Sequence, residues 1–327
     1  MSKLCNISEA NALIDAGKRL HVAGDEAALA GLHRGEWIGG TIPYFLTNTG
    51  GLVDRNRVFV TELPESVTGA KIVLLGEDEL ARLTGEAPEN GFSLVILPGM
   101  SRIHASYALN AERLPRLYEK PIIGWVSGVH LAELGTAKPK TVNGKTGEFS
   151  GDRLAVLHAA LPDAQMASIG IVNVFEQGTG DIIVFDETGF SGAACTINGA
   201  RADFFDYAKE SKLDLRLPLV ADRSGEMINV SFQALDEASR SVTFYAPVLE
   251  RMEYRQAAPI GDYRAAFAGR VNSLGISPAF SCNCILNYLY GNLEGKQEIP
   301  IGGPATFGEI AYVLLNQTMV YLTVNEA

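Results

Sequence analysis

The sequence predicts an α/β chain of mixed α+β character. It should form two packed subdomains, each with a mostly buried sheet covered by helices. Three observations carry this. The runs FSLVILPG and PIIGWVSGVHL are continuously apolar and bounded by Gly or Pro, the pattern of strands buried on both faces. Between them MSRIHASYALNAERLPRLY reads as an amphipathic helix, giving a strand–helix–strand order. Past residue 165 the pattern shifts to alternating polar and apolar residues around Asn-Gly and Gly-rich turns, as in antiparallel sheet. A length of 327 residues is long for one domain, and the change of character places the boundary there: 1–165 and 166–327.

Along the first half, residues 4–32 read as helix, loop, helix, with Ser8 as an N-cap. EWIGGTIPYFLT follows as a buried strand. Val58, Val60 and KIVLLG suggest further strands, and Asp78–Arg82 a short helix start. In the second half, ASIGIVNVFEQGTGDIIVFDETG reads as a hairpin. TINGARADFFDYAKE reads as an Asn-Gly turn into a helix, and EMINVSFQ through MEYRQA as two antiparallel strands. GDYRAAFAGRVNSLG reads as a helix, with Asp262 at its start and Gly275 at its end.

Charge and composition narrow the function. Asp and Glu (38) exceed Lys and Arg (27), a net charge of -11. No basic cluster exists to displace counterions, so neither nucleic acid nor an anionic membrane is an expected partner. The N-terminus lacks the charged and apolar regions of a secretory signal, and no apolar run approaches the ~18 residues of a membrane span. A cytoplasmic location is the expectation. Of the four cysteines only Cys282 and Cys284 are close, as C-x-C without a second ligand pair. No metal site and no cofactor is expected.

Candidate chemistry concentrates in the tail, where Cys282, Asn283, Cys284, Glu309, Asn316 and Thr318 interrupt apolar runs. Burying such groups is costly unless each finds a partner, so their grouping suggests a pocket. Gly308 permits close backbone approach beside Glu309, a candidate half-buried carboxylate. Trp37 with Gly39, Gly40 and Thr41 forms a second Gly-containing strand end. Arg102 and His104 follow Pro98-Gly99 directly after a buried strand, where α/β sheets tend to bind ligands. Ser127 and His130 stand three apart, on opposite faces of a strand, and make no catalytic pair. A thiol where strand meets helix is favoured as thiolate by the helix dipole, but no His lies near it in sequence to act as base.

The tail resembles the C-terminal part of FIST sensory domains: Phe280-Ser281-Cys282, Gly308-Glu309-Ile310, then Asn316 and Thr318. WIGGTIPYF, TINGARADFFDYAKE and SVTFYAPVLERMEYRQA resemble segments of that family in the same order. The resemblance implies an N-terminal and a C-terminal FIST-like domain and a non-enzymatic intracellular sensor of a small polar metabolite such as an amino acid. It implies no catalytic residue. With no room here for an output domain, a signalling protein would be the partner, with a homodimer left open. The ligand-binding set expected is Cys282, Asn283, Gly308 and Glu309, with Trp37, Gly40, Thr41 and Arg102 closing it from the other half. The alternative is a cysteine-dependent hydrolase or transferase using Cys282 or Cys284.

Overall fold

Strands outweigh helices in the computed structural model, which describes residues 2–223, 225–296 and 301–327. The mixed α/β class and its sheets covered by helices are as the sequence predicts. At the centre is a six-stranded sheet in the order Val313–Leu315, Glu309–Ala311, Ile122–Ser127, Gly91–Pro98, Leu154–Ala160, Gly69–Leu75. Only Gly91–Pro98 and Ile122–Ser127 run parallel, joined by the helix Arg102–Asn110. The strand Gly91–Pro98 is buried throughout. Phe92, Leu94 and Ile96 face the main core, while Val95 and Leu97 face a second core with Ile103 and Tyr107 of that helix. The continuous apolar run is thus explained by burial on two faces.

A second six-stranded sheet packs on the main-core side: Ser2–Cys5, Val58–Glu62, Leu20–Gly24, Trp37–Thr41, Thr141–Asn143, Glu148–Ser150. Here the structure corrects the reading of residues 4–32. The chain starts as strand, and LHVAG between the two helices is a fully buried strand rather than a loop. Asn6, not Ser8, caps the first helix: its side chain accepts from Glu9 N–H while Glu9 accepts from Asn6 N–H. Ile42-Pro43 splits EWIGGTIPYFLT into two strands, and the second, Tyr44–Thr47, leaves for a different sheet.

That third sheet runs Gln165–Val172, Met319–Glu326, Phe280–Cys284, Gly303–Thr306, Tyr44–Thr47, Gly50–Val53. Gln165–Val172 pairs over its whole length with the last strand, Met319–Glu326, and not with IIVF as the hairpin expectation had it. Strands therefore cross residue 165 in both directions. Tyr44–Val53 extends the C-terminal sheet, while Glu309–Leu315 extends the central sheet.

Between 183 and 256 the chain forms a separate antiparallel unit of one six-stranded and one three-stranded sheet around its own core of Phe185, Phe204, Phe232, Phe244 and Tyr254. Asn198 and Gly199 form its turn with positive φ at both residues, 50° and 83°, as a two-residue Asn-Gly hairpin requires. Helix Tyr263–Leu274 has the predicted Asp262 cap, which accepts from Ala265 N–H, and ends at Gly275 with φ 58°. No helix among the described residues is long and apolar enough to cross a membrane.

Candidate functional site

The expected tail residues do meet, at the seam where Phe280–Cys284, Gly303–Thr306 and Glu309–Ala311 converge. Glu309 is fully buried. Its Oε2 accepts the Thr318 N–H at 3.2 Å and the Thr318 hydroxyl at 2.8 Å, while Oε1 has no partner. Loss of hydration outweighs these bonds and pushes the carboxyl up to about 8. Thr306 also faces the carboxyl. Its single hydroxyl proton has carbonyls of Asn283 and Gly308 available at 3.1 and 3.0 Å. Glu309 is a neutral acid near pH 7.

Around it the amides are partly satisfied. Asn283 Oδ1 accepts from Cys284 N–H and Asn287 Nδ2, both at 2.8 Å. Asn283 Nδ2 and Asn287 Oδ1 have no partner. Asn316 and Gln317 turn outward to the inserted unit. Asn316 Oδ1 accepts from Ser231 N–H at 2.9 Å, and Asn229 Nδ2 reaches both tail carbonyls at 3.3 Å. Thus the polar residues that interrupt the tail's apolar runs join three sheets.

Cys282 donates to Gly124 O across sheets at 3.4 Å. Both tail thiols are buried, and desolvation, then Glu309, pushes them well above the usual thiol range. Cys284 precedes a helix of only six residues, and burial overrides any dipole effect. A thiolate nucleophile needs the opposite environment. Gly308 approaches its own chain: a Cβ there would lie 3.3 Å from Leu314, Leu315 and Val126. Its carbonyl already accepts from Val126 N–H at 2.8 Å.

The other expected residues lie elsewhere. Trp37 belongs to the core of the N-terminal sheet, its indole donating to His33 O at 2.8 Å, with Gly144 against its ring. Gly40 lets that sheet touch the central one, since a Cβ would meet Ile96 and Trp125 at 2.6 and 2.8 Å. Thr41 accepts the Lys140 N–H at 2.9 Å and borders a small cleft of about 200 Å³ between Asp25, Arg55 and Glu133. Arg102 is 89% exposed and pairs with Glu77 at 3.3 Å. These four do not close over the Glu309 seam.

The larger cavity, about 490 Å³, adjoins that seam through Phe307, between two strands, and Ile285, the first residue of the helix after Cys284. Its floor is the C-terminal end of the parallel pair: Gly99, Met100 and Ser101 after the first strand, Val126 in the second. Phe307, two residues before Glu309, and Ile285, next to Cys284, form one wall. Phe190, Phe244 and Tyr245 of the inserted unit form the other. The volume falls within the ~300–1,000 Å³ of small-molecule sites, and the place is where α/β sheets bind ligands. Ser101 caps the helix by accepting His104 N–H at 3.2 Å. His104 lines the cavity, and burial depresses its ring to about 4, so it is neutral. The sequence pointed to this turn through Pro98-Gly99 and to both Arg102 and His104 beyond it, but only Arg102 entered the expected binding set, and it is His104 that lines the cavity. In the first helical turn Arg102 points to solvent and His104 inward. The aromatic wall came from a unit with no sequence mark of a site.

The chain belongs to a family of unknown function (DUF6976), whose model matches residues 5–325. The match takes in both the sealed seam and the cavity. No curated protein and no solved structure matches the chain.

Proposed function

We propose that this protein is a non-enzymatic, cytoplasmic sensor that binds a small molecule in the cavity between the central sheet and the inserted unit. The observation that carries the reading is the cavity itself, preformed at the end of the parallel strand pair and walled by a unit with its own core. A ligand there contacts both bodies, and so biases how they pack. The resemblance to FIST sensory domains supports a sensory role and a signalling protein as the receiver. The sealed Glu309 seam then acts as the joint between the parts.

The test is a thermal-shift screen of purified protein against chemically diverse metabolites. A ligand that binds only the folded state stabilises it by about 2.7 kcal/mol at a hundred times its Kd. Reproducible hits are expected in wild type and in Arg102→Ala, and lost in Ala105→Trp, whose indole fills the cavity. Silence across the screen, or hits that persist in Ala105→Trp, would overturn the reading.

A further inference from the structure

The cavity wall contains no ion. None of its eighteen lining residues is Asp, Glu, Lys or Arg, and most are aliphatic or aromatic. A charged ligand seated there would lose hydration with no countercharge, a cost that buried ions escape only by pairing. The mouth continues the same chemistry, because the lining residues Met100, Leu134 and Leu289 are 57%, 46% and 41% exposed.

One polar group has a fixed sense. Met100 N–H points at His104 Nδ1 at 3.3 Å. A backbone N–H only donates, so Nδ1 accepts and the neutral ring carries its proton on Nε2. That Nε2–H is buried and has no acceptor among the described residues. The helix Arg102–Asn110 begins at the same spot, and its positive end also favours an oxygen that accepts.

Resting on the binding reading above, we infer that the ligand is an uncharged, largely apolar molecule bearing one hydrogen-bond acceptor, such as a ketone or ester oxygen, which takes the His104 Nε2–H. This revises the polar, amino-acid-like ligand expected from sequence. A zwitterion would bring two charges to a wall that offers none.

Isothermal titration with four matched probes decides it: hexanophenone, hexylbenzene, phenylhexanoate and phenylhexylammonium, near pH 7. The ketone is expected to bind best, about tenfold tighter than the hydrocarbon for one hydrogen bond. Both ions are expected to bind at least about a hundredfold more weakly than the ketone. His104→Leu should bring ketone and hydrocarbon together, and Ala105→Trp should abolish both. If His104→Leu fails to fold, the wild-type comparison of ketone with hydrocarbon decides alone. Carboxylate or ammonium binding as tightly as the ketone overturns the uncharged-ligand inference and leaves a binding protein. Equal binding of ketone and hydrocarbon overturns the role of His104. Silence from all four and from the wider screen overturns the binding reading itself.

Discussion

Glu309 turns burial into pH dependence. Its carboxyl titrates near 8 in the folded protein against an ordinary 4.5, so the folded state holds a proton that the unfolded chain releases between those values. The stability it contributes is complete below pH 4.5 and is lost as pH rises through about 8, by up to about 1.4 kcal/mol per pH unit. Glu309→Gln carries an uncharged amide at every pH, so its urea-derived stability should rise more steeply than wild type from about pH 5 to 6.5 and stay level from about pH 7 to 8, where wild type declines. Parallel curves for the two proteins would disprove the coupling. Gly124 is a residue of a different kind. A Cβ there would sit 1.8 Å from Val95 O in the neighbouring strand. Backbone cannot yield as a flexible side chain does, so Gly124→Ala should cost about 3 kcal/mol or more, read as a lowered urea midpoint.

Among the elements, the exchanged strands decide what folds alone. A fragment of residues 1–165 lacks Glu309–Ala311, the neighbour of Ile122–Ser127 in the central sheet. Its own Tyr44–Thr47 is left without Gly303–Thr306. Two apolar edges exposed at once favour aggregation, so this fragment should lack native amide dispersion or precipitate. A soluble, well-dispersed spectrum would contradict that. These pairings were the part least legible in sequence. The period of FSLVILPG states that its strand is buried on both faces, and Asp262 and Gly275 mark a helix through local bonds. Nothing in ASIGIV names a partner about 150 residues away, because long-range pairing is settled by which apolar faces fit together. The site was legible to the same degree. Asn316 and Glu309 stood out as polar groups in apolar runs, yet that signal is the same for a joint as for a pocket. The cavity wall, made of ordinary aromatics such as Phe190 and Tyr245, carries no such signal.

At the scale of the whole molecule, three buried neutral histidines set the acid limit. His21 accepts the Trp125 indole N–H at 2.7 Å and packs its ring on Phe280 at 4.8 Å, so one side chain joins all three main sheets. Burial depresses His21 to about 3, and His104 and His158 to about 4, from 6.5. Their stabilising effect is complete above pH 6.5 and is lost as pH falls toward the folded values. Between about pH 5 and 6 unfolding takes up three protons at these rings and releases one from Glu309. Stability should therefore fall by roughly 3 kcal/mol per unit of acidification. Above pH 6.5 only the Glu309 effect remains and has the opposite sign, which places the maximum near neutrality. Urea unfolding across this range checks the profile, and a flat line between pH 7 and 5 would refute it. His21→Gln should lower the acid slope by about half, since it removes one of the two net protons taken up.

The strand exchange also orders events during synthesis. Ile122–Ser127 emerges from the ribosome long before the strand that must lie beside it, Glu309–Ala311. At ~5–20 residues per second the gap is roughly 10–40 s. For that interval the nascent central sheet has an open side. The N-terminal sheet can close once residue 150 is made, but translation must nearly finish before the central sheet and the third sheet can. An unpaired strand edge of this kind is a template on which a second chain can add, so the seconds of synthesis are when this chain is most open to pairing with another copy.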